Sequence, residues 1–136
     1  FFAENGFDSL TIVHNDTVMV DNRFAVCGSR GWFNEDGEEA DHTVLLREAG
    51  RLRASITAAK QTGLEPVVFL HYPPLYKGYS CDEILDLLHR YEVRQCFYGH
   101  LHGASHGLAM EGQWDGIDFR LVSADKLNFK PYPVIL

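Results

Sequence analysis

Pro66-Val67-Val68-Phe69-Leu70-His71 and Val93-Arg94-Gln95-Cys96-Phe97-Tyr98-Gly99-His100-Leu101-His102-Gly103 decide the fold of this chain. Each opens as a short apolar run, the pattern of a strand covered on both faces. Between them, Ser80 with Glu83 three residues later has the form of a capping box, and Ile84, Leu85, Leu87, Leu88 and Tyr91 supply one buried helical face. Strand, helix, strand at this spacing is a βαβ unit, so the two strands are predicted to be parallel neighbours. Both then deliver histidines to one sheet edge, where ligands collect in open α/β folds. In an extended segment residues i and i+2 point the same way, so His100 and His102 are expected to share a site. Gly99 and Gly103 bracket that pair and let the backbone turn closely around it. Neutral imidazole ligates zinc, iron, manganese and nickel, which makes His71, His100 and His102 candidate metal ligands.

N-terminal to this unit, Leu45, Ala49, Leu52, Ile56 and Ala59 recur at spacings of three and four, predicting a helix over 41–62 that stops at Gly63. The acidic run from Glu35 to Asp41 reads as a solvated loop and a negatively charged helix start. Further back, Leu10 to His14 and Thr17 to Val20 read as strands around an Asn15-Asp16 turn, and Phe24 to Cys27 as a third, giving an antiparallel meander. Phe1 to Gly6 reads as the tail of a helix closed by Asn5-Gly6. C-terminally, Gly107 to Met110 and Ile117 to Val122 are predicted strands around the loop 111–116, followed by a turn over 123–128 and a last strand or tail over 132–136. His14 and His89 are expected to pack, and His42 and His106 to be exposed.

Composition bounds the function. The 136 residues fit one domain, with 46% hydrophobic and 23% charged residues as in ordinary globular proteins. A formal net charge of -7 argues against general nucleic-acid binding, which needs a basic stripe. It leaves anionic substrates open, because a bound metal reverses the local field. No apolar run reaches ~18 residues, so no membrane span is expected. The three cysteines, Cys27, Cys81 and Cys96, form no C-x-x-C pair and leave an odd number, which favours a reducing compartment and a cytoplasmic location.

Phe69-Leu70-His71-Tyr72-Pro73-Pro74 and Tyr98-Gly99-His100-Leu101-His102-Gly103 resemble the last two motifs of the calcineurin-like metallophosphoesterase superfamily: a lone histidine followed closely by proline, and G-H-x-H. The resemblance implies an α/β fold, half of a four-layer α/β/β/α sandwich built on a mixed β-sheet with at least two helices. It also implies two divalent transition metals (Mn, Fe or Zn) and hydrolysis of phosphate mono- or diesters. Carried over, His71 and His100 would serve one metal and His102 the other. The family's D-x-H, G-D-x-x-D and G-N-H-[DE] blocks do not occur in these residues. The expectation is therefore a single partial domain over residues 1–136, the C-terminal portion of a phosphoesterase, inactive alone. The alternative is a non-catalytic metal-binding or protein-interaction module.

Arg30, in Gly28-Ser29-Arg30-Gly31-Trp32-Phe33, is the candidate contact to a phosphorylated substrate, since a guanidinium on a glycine-rich loop can grip phosphate bidentately. The competing reading is a surface arginine stacked on Trp32. Tyr72 is read as a packing aromatic beside the site, and Asp125 and Asn128 as groups supporting it or simply turn residues. Half a sandwich would leave one sheet face uncovered, and a homo-oligomer formed through that face is expected.

Overall fold

Runs rich in β-branched and aromatic residues form the strands and the periodic segments the helices, in a computed structural model that describes residues 1–33 and 39–134. In chain order these are β1 (Val18–Val20), β2 (Phe24–Ser29), α1 (Glu39–Gln61), β3 (Glu65–Leu70), β4 (Leu75–Tyr76), β5 (Tyr79–Ser80), α2 (Asp82–Arg90), β6 (Gln95–Tyr98), β7 (Gly112–Trp114) and β8 (Ile117–Leu121). Short 3-10 turns cover Ala3–Asn5 and Gly103–Leu108. Six strands make one mixed sheet in the order β1-β2-β3-β6-β8-β7, and β4 pairs with β5 in a separate ribbon. The four central strands run parallel, with β1 and β7 antiparallel at the two edges. The chain is a mixed α/β fold, and the predicted parallel βαβ unit is β3-α2-β6.

Alternation along the strands sorts the sheet into two faces. Register places Cys27 beside Val68, Val68 beside Cys96 and Cys96 beside Phe119, with Leu70, Tyr98 and Leu121 forming the next row. These residues cluster with Leu45, Leu52, Ile56 and Ala59 of α1 and with Ile84, Leu85, Leu87 and Leu88 of α2. Full burial of an aliphatic side chain such as Leu52 or Ile56 contributes roughly 1.5–3 kcal/mol. The opposite face carries Phe24, Val26, Val67, Phe69 and Phe97. Phe69 stacks on Phe97 at 4.9 Å between ring centroids, and Tyr132 from the C-terminal segment approaches Phe97 at 6.1 Å.

Gly28 sets the closeness of β2 to β3. A Cβ there would lie 1.9 Å from the carbonyl oxygen of Phe69, so no other residue fits the unshifted backbone. The amide of Gly28 donates to Ser55 Oγ of α1 at 2.9 Å, and that hydroxyl donates to the carbonyl of Asp16 at 2.6 Å. One serine thereby ties the N-terminal segment, the sheet and the helix together.

Several local expectations are corrected. Leu10 to His14 is not a strand. Of the expected antiparallel meander only the pair β1 with β2 forms, about the turn at Asp21 and Asn22, both at φ 52°. Leu10 and Ile12 are 53% and 68% exposed, which leaves that run no apolar surface to pair against. Gly107 to Met110 is a 3-10 turn running into an isolated bridge from Ala109 to Tyr76, and the partner of β8 is β7. The turn between them is Asp115-Gly116, with φ 46° and 84°. Helix α2 starts at Asp82 with Cys81 as its cap and no side-chain cap bond, because Ser80 belongs to β5 and bonds to Asp82 instead. The N-terminal helix tail is a single 3-10 turn, although Gly6 closes it in the left-handed conformation as expected. His14 is exposed and His89 half-buried, its Nε2 3.3 Å from Asp115 Oδ2, so neither packs in the core. The acidic run falls largely outside the described residues, as do the last two residues of the 132–136 tail, which forms no strand through Val134.

Candidate functional site

Parallel pairing of β2, β3 and β6 brings Arg30, His71 and His100 to one edge of the sheet, each just beyond the C-terminal end of its strand. The backbone locks this edge. The carbonyl of Arg30 accepts the amides of His71 at 3.1 Å and Tyr72 at 2.9 Å, and the carbonyl of His71 accepts the amide of Gly99 at 3.2 Å. The rings of His71 and His100 lie 5.2 Å apart. Tyr72 packs against both, at 4.7 and 4.5 Å, and Phe33 flanks His100 at 5.7 Å. His71 is exposed and His100 half-buried.

His100 is held in an uncommon conformation. The amide of Leu101 donates to the carbonyl of Gly99 at 2.8 Å, closing a three-residue turn with His100 at its centre and φ 68°. A non-glycine residue there costs on the order of 1–3 kcal/mol, and such strain concentrates at functional sites.

That turn also breaks the alternation on which a shared site for His100 and His102 depended. His102 takes different partners: its Nδ1 lies 2.8 Å from Asp125 Oδ1, while Asp125 Oδ2 accepts the amide of Gly103 at 2.9 Å. These bonds, first the Gly103 amide and then His102, hold the Asp125 carboxyl well below the usual carboxylate range. An ionised carboxylate only accepts, so Nδ1 carries the proton and a neutral His102 keeps its lone pair on Nε2. Asp125 is therefore the partner that orients His102, the arrangement found behind metal-bound histidines. His106 Nε2 lies 3.2 Å from Asp125 Oδ2, close enough to pair by charge but without hydrogen-bond alignment. Asn128 sits at φ 52° in the turn that follows, a turn residue. Among the described residues no three His, Cys, Asp or Glu side chains are arranged to hold a metal ion.

The guanidinium of Arg30 stacks on Trp32 at 4.5 Å and lies 3.5 Å from Glu48 Oε1 of α1. Stacking on Trp32 was the competing reading of this residue. Glu48 and Ser55, both fully buried, were missed, because Glu48 falls beside the apolar stripe of α1 and reads there as a solvent-facing charge. The Asp125 contact with His102 spans 23 residues and has no local signal.

Comparison with protein-family models, curated proteins and solved structures finds no match to this chain. The helix lengths and compositions also exclude a membrane-crossing helix among the described residues.

Proposed function

We propose that this chain carries the histidine-bearing half of a metal-dependent phosphoesterase site, completed by acidic ligands from another segment or chain. The observation that carries the reading is the pairing of His71 and His100 beyond adjacent parallel strands, 5.2 Å ring to ring, with His102 separately oriented by Asp125. The donor set fits such a centre in kind and falls short in number. Three imidazoles are present, whereas Asp125 already serves His102, and no carboxylate among the described residues joins the histidines as a ligand group. His71 and His100 would hold one divalent cation (Mn, Fe or Zn) and His102 Nε2 the other. When bound, two such cations clamp a phosphoryl group and lower the pKa of a bound water. The chain's own part is to fix the imidazoles: Asp125 sets the tautomer of His102, and Tyr72 and Phe33 wall the His100 ring. The four-layer sandwich belongs to the same proposal, as does a cytoplasmic location, for which the three buried, unpaired cysteines speak.

The test is hydrolysis of p-nitrophenyl phosphate and its bis-ester with added Mn²⁺, on this chain and on a chain extended upstream, each with and without His100→Ala. Activity confined to the extended chain and lost with His100→Ala is the expected result. An extended chain without activity would overturn the reading and leave the binding module in its place.

A further inference from the structure

A second concavity opens on the far side of Arg30. Strand β1 pairs only with Phe24 to Val26 of β2, so the outer edge of β2 beyond Val26 has no strand neighbour among the described residues. The gap is walled by residues 13–15 on one side and α1 on the other, and encloses about 510 Å³. Arg30, Arg47, Glu48 and Arg51 line it, as do His14 and Asn15.

In a chain with a formal net charge of -7, this cavity gathers three guanidiniums against one carboxylate. Arg47 and Arg51 are four residues apart on α1, a like-charge pair that destabilises a helix by a few tenths of a kcal/mol. Glu48 compensates only part of this. Its Oε1 accepts from Arg51 Nη1 at 2.7 Å and lies 3.5 Å from Arg30 Nη2, while Arg47 has no ion pair among the described residues. Glu48 is itself fully buried, and its Oε2 meets no donor among the described residues. A buried carboxylate with one close partner is costly to keep. Its placement makes sense as the group that presets Arg51 and Arg30, the latter also stacked on Trp32. Two preset guanidiniums and a third free one facing a common space form a receptor for an oxyanion.

We infer that this cavity binds a small molecule through a phosphate or carboxylate group held by Arg30, Arg47 and Arg51, with Glu48 as the residue that positions two of them. The inference does not depend on the hydrolytic reading, because none of His71, His100 and His102 lines the cavity.

The experiment is titration calorimetry at constant ionic strength with inorganic phosphate, glycerol 3-phosphate and glycerate. Arginine Nε–Hε resonances are followed in parallel. Saturable one-to-one binding is expected, with Arg51 and Arg30 resonances shifting, and whichever of glycerol 3-phosphate and glycerate binds tighter identifies the anion. Arg47→Gln alters an exposed side chain without an ion pair, so the fold should persist, and a lost charge-assisted contact weakens binding about tenfold. His100→Ala should leave the affinity unchanged, which separates this site from the histidine edge. Glu48→Gln, with its folding checked by thermal melting, should weaken binding despite removing a negative charge. Absence of saturable binding by all three probes would overturn the inference. So would an Arg47→Gln affinity within twofold of the parent, tighter binding by a folded Glu48→Gln variant, or loss of binding in His100→Ala.

Discussion

Ser55→Ala tests whether one hydroxyl holds three elements of this fold together. Ser55 is fully buried on α1. Its Oγ accepts the Gly28 amide at 2.9 Å and donates to the Asp16 carbonyl at 2.6 Å. Removing the hydroxyl strands the Gly28 N–H inside the protein, which costs about 1–3 kcal/mol. The Asp16 carbonyl belongs to an exposed residue, where water can replace the lost donor, so its share is about 0.5 kcal/mol. Alanine recovers about 0.5 kcal/mol through its better helix propensity. The net loss should be about 2 kcal/mol, seen as a fall of about 1 M in the urea midpoint at unchanged slope. Thr57→Ala is the control, because its hydroxyl bonds Tyr91 OH at 3.2 Å between half-buried groups and should cost about 0.5 kcal/mol. Hydrogen exchange at Gly28 should quicken in Ser55→Ala alone. A loss below about 0.5 kcal/mol with Gly28 exchange unchanged would refute the role assigned to the hydroxyl.

Two further outcomes follow from burial. Desolvation pushes the Cys27 thiol up to about 12 and Cys81 to about 11, against an ordinary value of 9.0, and Cys96 shifts the same way. The folded state thus keeps protons that the unfolded chain releases: stability from these groups is intact below pH 9.0 and is lost as pH rises through 11 to 12. The urea midpoint should fall from pH 9 upwards and fall less in Cys27→Ala, and equal slopes in both proteins would count against this account. The sheet face opposite the helices presents Phe69 and Val26 half-buried, with Val20 and Phe129 exposed at 38% and 83%. We expect a dimer that covers this face, and a sharp monomer by light scattering at ~100 μM would rule it out.

The parts of the fold legible in the sequence were those written in local periodicity. Leu45, Leu52, Ile56 and Ala59 all face the core, and β3-α2-β6 could be read because two apolar runs flank an amphipathic helix of the right length. The β7–β8 hairpin was misplaced although Asp115-Gly116 is a strong type I′ turn signal. The apolar appearance of Leu108 to Met110 outweighed it, and those residues instead follow a 3-10 turn and touch Tyr76 of the β4–β5 ribbon. Leu10 to Ile12 misled in the same way: alternation marks a strand only where a neighbour buries one face. At the candidate site, the strand-end placement of His71 and His100 followed from topology. The positive φ of His100 and the Asp125 contact did not, because both depend on chain segments meeting in three dimensions.

Arg30 shows why the two proposed sites can be separated although they share a residue. Its carbonyl accepts the amides of His71 and Tyr72, and every substitution at position 30 except proline leaves that backbone conformation available. Its side chain is engaged by Trp32 and Glu48. Removing the guanidinium therefore takes a donor from the cavity while the amide-to-carbonyl bonds still seat the histidines. Were Arg30 instead a direct contact for a phosphoryl group between His71 and His100, its guanidinium would first have to leave both Trp32 and Glu48. The cation–π contact is worth about 0.5–1 kcal/mol, and Glu48 Oε1 would keep Arg51 Nη1 at 2.7 Å, so a bound dianion can draw Arg30 away without leaving Glu48 unpaired. Arg30→Gln in the chain extended upstream thus distinguishes the cases: loss of cavity binding with hydrolysis intact places the side chain where the structure puts it, and loss of both means that it swings between the two sites.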